Sequence, residues 1–501
     1  MNDSIFTILA HSGNSLATNK WLPANPFAKG NMPWLLYAGI VLLFAATILT
    51  AYYTGVLGAG FGILLLSLIV GLPALLACLV NPLLGLSVLV SVSFVVMGIK
   101  KYLPGEPPLG ILLDVFTLFL FMGIFAKQAY ERNFTVLKHP VTLLVLAWIA
   151  FNLVEVLNPW AHSQLAWLYT VRGMAGLTLL YFVALYAFSN LRSIAFLLKL
   201  LLFWGVAAAI YGIYQEFAGF NSVEWAWVNA DEQRYELIFQ WGMFRKFSFL
   251  SDPTTFGILM AYMGVVSLSI AIFCNINLAK RIVLWVFALL MFAAMVYSGT
   301  RAAFVLVPVG ILLTTFLTFR PKIVLLSGIL LLVGMVVVFK STSNPTLYRV
   351  RSAFTPAKDE SLQLRLSNQK RIQPYIQTHP IGGGLGSTGE WGRRFSPNSE
   401  LANFPPDSGL ARIAVEQGWI GLLLFTIFSF SVLVLGVRTF LRSRQPQIKM
   451  YALAFLTITF LLTIANYPQE AIFLLPNSII YYVSVAALVR LRQLDTTAHL
   501  G

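Results

Sequence analysis

Apolar residues in this chain come in blocks rather than in alternation. Ile63–Val70 and Ile323–Val338 run apolar or small on every side, without the period of two that a membrane barrel strand keeps. The blocks are roughly 18–25 residues long, the length a helix needs to cross about 30 Å of hydrocarbon. Lipid leaves backbone hydrogen bonds unsatisfied, so such segments span as helices or as a closed barrel, and the missing alternation leaves the helix. About 12–14 spans follow, near residues 34–54, 58–79, 82–99, 110–126, 140–157, 173–189, 194–216, 254–274, 282–299, 302–318, 322–340, 418–437, 449–467 and 471–490. The expected fold is an all-α polytopic integral membrane protein with one large extracytoplasmic loop. It divides into N-terminal transmembrane helices over 1–339, the loop over 340–417 and C-terminal transmembrane helices over 418–501.

An even number of spans puts both termini on one side. Lys127, Arg132, Lys138, Arg192, Lys280, Arg281, Arg320, Lys322, Arg438, Arg442, Arg444, Lys449, Arg490 and Arg492 fall in short loops on that side, which the positive-inside rule makes cytoplasmic. Lys100 and Lys101 dissent. Three segments face outward: 158–172, 217–253 and 340–417. Trp160, Trp167, Tyr169, Trp225, Trp227 and Trp241 crowd the first two, as expected of short amphipathic helices lying in the membrane interface. In the third, residues 358–373 suit a helix that Pro374 ends or kinks.

Of the 501 residues, 58% are hydrophobic and 11% charged, which excludes an ordinary soluble domain. The net charge of +15 sits between the apolar blocks without a basic stripe interleaved with aromatics, so it sets orientation and implies no nucleic acid. Cys78 and Cys274 lie inside apolar spans and offer neither a disulfide framework nor a zinc site. Residues 1–33 are polar and turn-rich and lack the apolar core of a cleavable signal.

The chemistry-bearing residues lie next to outward span ends. Arg172 opens one span, Arg245 precedes Ser248 through Pro253, and Arg301 follows Tyr297-Ser298-Gly299-Thr300. One such arginine is explained by snorkelling to headgroups. Three at one depth point to an anionic partner, and a planar guanidinium fits a phosphate bidentately. In the long loop, Gly384-Leu385-Gly386-Ser387-Thr388-Gly389 matches a dinucleotide pattern but follows no strand of a βαβ unit. It reads instead as a backbone turn that lets a substrate approach, or as a plain loop. His379 is either a base or a helix-end cap, and Asp407 either a base or the N-cap of the helix that follows. No outward Asp-x-Asp or His-x-x-x-His spacing is present, so neither a metal nor a cofactor is expected.

Arg365 in an amphipathic stretch, then His379-Pro380-Ile381-Gly382-Gly383-Gly384-Leu385-Gly386, then a polar residue followed by Glu416, Gly418 and Gly421 at a span start, resembles the signature of the O-antigen ligase and Wzy-type polysaccharide polymerase superfamily. Ser298-Gly299-Thr300-Arg301-Ala302 and the Arg245 to Pro253 segment resemble its earlier motifs, and the likeness is clearest over about residues 240–440. Many members have a histidine nine residues before the glutamate; Asp407 followed by Ser408 occupies that place here. The resemblance implies a GT-C-like membrane glycosyltransferase of the bacterial cytoplasmic (inner) membrane, working on its outer face. Its donor is a polyprenyl-diphosphate-linked glycan, and its acceptor is a sugar hydroxyl of a glycan or glycolipid. Membrane lipid and polysaccharide-assembly proteins are further implied partners. Asp407 becomes the catalytic base, Arg245, Arg301 and Arg172 the donor diphosphate site, and Arg365, His379, Gly384, Gly386 and Ser408 substrate contacts.

The chemistry suits those residues. A diphosphate leaves readily once its charge is neutralised, so arginines replace a metal and one base suffices. A single in-line attack inverts the anomeric carbon; retention would need a second, nucleophilic carboxylate. The rival is a transporter or flippase for a lipid-linked oligosaccharide, which would place ionisable residues and helix breaks at mid-membrane. Here Asp114 is the exception in nearly charge-free spans. A scaffold for a polysaccharide export complex is the third reading.

Overall fold

The computed structural model describes residue 75 and residues 77–103, 108–132, 134–240, 242–319, 321–339, 350–351, 353–354, 360–406 and 408–497. The spans expected near 34–54 and 58–79 lie outside these residues, but for the last positions of the second, and so does Asp407. Helices α1 (Pro82–Lys101), α2 (Gly110–Glu131), α3 (Pro140–Val154), α4 (Gln164–Ala187) and α5 (Leu191–Ala218) come first. Two short helices follow, α6 (Ser222–Asn229) and α7 (Glu232–Ile238), with a small hairpin of β1 (Phe239–Gln240) and β2 (Met243–Phe244). Then come α8 (Pro253–Phe273), α9 (Leu278–Ser298), α10 (Arg301–Thr318) and α11 (Pro321–Phe339). The loop carries α12 (Glu360–Thr378), α13 (Gly389–Phe395) and α14 (Gly409–Glu416), and the chain closes with α15 (Gly418–Arg442), α16 (Pro446–Ala465) and α17 (Asn477–Thr497).

Among the described residues ten helices are long and apolar enough to cross a membrane: α1 to α5, α8 to α10, α15 and α16. The protein is an all-α polytopic membrane protein. Polar caps before proline set several starts. Asn81 accepts from Leu83 and Leu84, and Asp252 from Thr254 and Thr255, each with proline at the first helical position. The span expected near 322–340 corresponds to α11, of which Ser327–Val336 is the apolar stretch. The last expected span, 471–490, falls on α17, which begins only at Asn477 after a turn over residues 467–476 and is not among those ten helices. Pro374 does not end α12, which runs on to Thr378.

Helix α8 is the centre, buried along nearly its whole length against α5, α9, α10 and α16. Small residues permit this: Gly257 lies against Ser298 and Thr300, and Gly264 against the Phe292 ring. Tyr262 in its middle donates to Asn477 Oδ1 at 2.9 Å, so the buried hydroxyl has a partner.

The two ends of the bundle differ. At one, Arg490 donates to the Phe188 carbonyl and Gln493 to that of Val136, and Arg444 and Lys449 line a cavity with Cys274 and Thr318. This is the end of the basic short loops. The other carries α6, α7, α12 to α14 and the turn at 467–476. Lys101 belongs to this second end. It is 9% exposed, donates to the Leu250 carbonyl at 2.6 Å and sits 3.8 Å over the Phe247 ring and 4.3 Å over that of Trp227. Its departure from the loop-charge pattern thus has a packing cause: it is a buried cation clamped by aromatic faces.

Candidate functional site

The glycine motif of the long loop is a crossing of backbones. Gly382 has φ +72° and Gly418 φ +67°, and a Cβ on either would meet the other's stretch of main chain. Gly383 donates to the Val415 carbonyl and Gly384 to that of Glu416, each at 2.9 Å, and Ile420 donates to that of Pro380. Asn158 clamps the far side, donating to Glu155 Oε2 at 2.8 Å and to the Ile381 carbonyl at 2.9 Å. The next turn drives Leu385, 2% exposed, into a cluster with Val171, Met174 and Ala175 of α4. Gly384 and Gly386 flank it because what approaches them is the protein itself, Ala161 in one case and Ala166 with Thr170 in the other. The close approach expected of these glycines is thus made by the chain's own outward elements.

This clamp brings α14 and α13 against α4 around a cavity of about 410 Å³, whose wall includes Asp114, Tyr169, Arg172, Thr388, Glu390, Trp391, Pro406, Arg412 and Glu470. Its volume falls in the roughly 300–1,000 Å³ range of small-molecule sites. Arg172 pairs with Asp114 at 3.4 Å across the gap between α4 and α2. It does not open a span, as expected, but lies inside α4, where Arg172–Gly176 form a π-helical segment.

Opposite, Arg412 reaches two carboxylates: its Nε donates to Glu416 Oε1 at 3.3 Å and its Nη1 to Glu470 Oε2 at 2.7 Å. Thr388 donates to the same Glu416 oxygen at 2.6 Å. Burial acts to lower the Arg412 pKa, yet Glu416 and then Glu470 outweigh it and hold the guanidinium above the ordinary arginine value. Glu416 is wholly buried, and its Oε2 has no partner among the described residues.

Ser408 caps α14 through its side chain and is 3% exposed, so the capping role considered for Asp407 is carried by its neighbour. Gly409 donates to the Gln469 carbonyl. The chain after Asp407 is therefore pinned, and Pro406 before it lies on the cavity wall. His379 stacks on Tyr375 with ring centres 3.9 Å apart, meets the edge of Trp160 and places Nδ1 3.0 Å from the Tyr375 carbonyl. It serves as the helix-end cap. Arg365, in the second turn of α12, is not among the described residues that line the cavity.

Arg245 and Arg301 form a second group, where β2, α8 and α10 meet. Arg245, 6% exposed, donates to the carbonyls of Ser298 at 2.9 Å and Leu237 at 3.1 Å, and to the hydroxyls of Thr300 and Thr254. The sequence suggests a bidentate phosphate contact for Arg245; in the structure its guanidinium ties the hairpin to the α9–α10 turn. Burial pulls its pKa down to about 10, Asp252 acting against this and Arg301 with it. Arg301 opens α10.

The wall residues Arg412 and Glu470 are not singled out by the sequence, although Glu416, which Arg412 meets, is. Arg412 and Glu416 carry a signal in their i, i+4 spacing on a helix. Glu470 is the one carboxylate between residues 446 and 494. Among the described residues, no three His, Cys, Asp or Glu side chains are grouped to hold a metal ion.

Fold and site together define a multi-pass membrane protein with a charged cavity under a clamped loop at one end of the bundle. Residues 286–426 match the family model described as O-antigen ligase (Wzy_C), and this match supports the resemblance to the O-antigen ligase and Wzy-type polymerase superfamily. That stretch runs from within α9 to within α15. No curated protein matches the chain. The family supports a ligase- or polymerase-type function.

Proposed function

We propose that the protein is an inverting, metal-independent glycosyltransferase that moves a glycan from a polyprenyl-diphosphate donor to a sugar hydroxyl. The carrying observation is the cavity that sets Arg172 and Arg412 beside Pro406, the residue before Asp407. The acceptor oxygen attacks the anomeric carbon, the bond from that carbon to the diphosphate oxygen breaks, and the diphosphate leaves with the electron pair. The acceptor's proton passes to the Asp407 carboxylate. Arg172 and Arg412 of the cavity neutralise the developing charge, and Arg301 of the second group is proposed as a further contact to the donor diphosphate. Arg245 acts one step back, holding the turn from which Arg301 projects. The basic end faces the cytoplasm and the cavity the outer face of a bacterial inner membrane, with 340–417 as the extracytoplasmic loop between N- and C-terminal helices.

The test is transfer by purified protein in nanodiscs from a lipid-linked donor. Asp407→Asn keeps the side-chain shape but takes no proton, and turnover is expected to fall by roughly 10²–10⁴ at matched folded amount. Asp407→His is expected to retain part of the activity, with a rate that rises as pH climbs through about 6.5, since only the neutral imidazole accepts a proton. Unchanged turnover in the Asn variant removes Asp407 from the mechanism. Activity abolished by EDTA and restored by a divalent ion overturns the metal-free reading, and movement of the intact lipid-linked glycan without transfer would make the protein a flippase.

A further inference from the structure

The transfer chemistry uses the charged groups of the cavity and leaves its aromatic wall unexplained. Tyr169 of α4 and Trp391 of α13 both line the cavity, with ring centres 4.8 Å apart, and Phe395 closes the cluster at 5.1 Å from Tyr169. Their placement is fixed from behind. Gly392 is buried, and a Cβ there would meet the Ser387 carbonyl and Ala402, so the back of α13 is docked and the i, i+4 pair Trp391 and Phe395 turns toward α4. Arg394 lies over both rings, 5.9 Å from Trp391 and 5.4 Å from Phe395.

An aromatic belt at the membrane interface would explain half-buried Tyr and Trp in outward segments. It does not explain rings that share a wall with Arg172, Glu390, Arg412 and Glu470, because those groups demand water or a polar ligand rather than lipid. A ligand that suits both has an apolar face and a hydroxylated rim. A pyranose ring is such a ligand: its axial C–H bonds present weakly positive hydrogens to the negative face of an aromatic ring. Its equatorial hydroxyls reach outward to carboxylates and guanidinium groups.

We propose that Tyr169 and Trp391 form a stacking platform for one sugar ring of the reacting glycan, with Glu390 on the cavity wall accepting from its hydroxyls. This rests on the glycan-transfer reading above, which assigned these two rings no role. The ring can belong to the acceptor or to the donor's glycan, and the KM affected tells which.

The experiment uses full-length protein in nanodiscs and, as probe, the oligosaccharide released by mild acid from the host's lipid-linked glycan. Saturation-transfer NMR with irradiation of the protein's aromatic protons is expected to mark ring C–H protons of the probe in the wild type. Trp391→Leu is expected to weaken binding about tenfold, the size of one lost ring contact with its buried area. Trp391→Phe, which keeps a ring, should retain most of it. In the transfer assay the Leu variant is expected to raise the KM for either acceptor or donor by a similar factor. Absence of ring-proton saturation in the wild type overturns the platform whatever the variants do. So does equal loss in the Phe and Leu variants, which would mark a packing role, or transfer with both KM values unchanged. Saturation without any transfer product leaves the sugar site standing and overturns the transferase reading instead.

Discussion

A guanidinium that already donates to two carbonyls and two hydroxyls has little left for a ligand, which makes Arg245 a structural arginine. Lysine keeps the charge but cannot span the four acceptors around Arg245. Arg245→Lys is therefore expected to lower the Tm and folded yield, losing at least one charged hydrogen bond worth roughly 1.5–3 kcal/mol. Arg301→Lys is expected to transfer at least about tenfold more slowly at matched folded amount, through loss of the bidentate contact. Size-exclusion yield, thermal melting and turnover on the same preparations check both; equal melting for Arg245→Lys would return that residue to the ligand. The sequence shows three arginines near outward ends, and charge at a span end is legible. Which arginine its own chain satisfies depends on contacts such as Arg245 with Ser298, made by residues far apart in sequence. For the same reason Lys101 looked like a topological exception.

Helix α4 extends outward of the hydrocarbon-length rule that places its span at 173–189. Ser163 caps it, and of its first two turns Tyr169 and Thr170 reach the cavity wall while Leu165 and Leu168 stay exposed. A window that counts apolar residues begins where Arg172 ends and so takes that arginine for a terminus. Within the helix, the π-helical turn at Arg172–Gly176 shifts the register where the side chain meets Asp114. Asp114 is thus a positioning residue for Arg172. Asp114→Asn and Arg172→Lys are each expected to slow transfer, and the double variant should fall short of the summed effects by a coupling of about 0.5–3 kcal/mol. Strict additivity in kcat/KM would show that the pair does not act as a unit. The glycine motif, by contrast, was readable as a turn in the sequence. Its partner was not, because Gly382 and Gly418 explain each other only once their backbones cross.

Among the described residues most helices begin within a few residues of the expected spans because the hydrocarbon thickness imposes their length from outside; α4 and α17 are the exceptions. The site was legible only in part: one wall lies in the matched residues 286–426, while Asp114, Tyr169, Arg172 and Glu470 lie outside them. Burial of charge, which ties the walls together, leaves no periodic trace in sequence. The assigned orientation predicts that a cysteine at Arg393, an exposed position of α13, is modified from outside intact cells when Cys78 and Cys274 are replaced. Labelling only after permeabilisation would invert the topology.

The Arg172–Asp114 pair also constrains how the chain is made. Helix α2 leaves the ribosome with a carboxylate in its first turns, and an aspartate at mid-span costs about 2.5–3.5 kcal/mol to insert, less toward an end. Its counter-ion is delivered only when α4 follows, after the α3 hairpin. During that interval α2 has α1 to pack on but not the arginine its carboxylate meets in the finished fold, and the joining of α4 to it is expected to complete two things at once. The nascent helix becomes committed to the bilayer, and the first wall of the cavity is built.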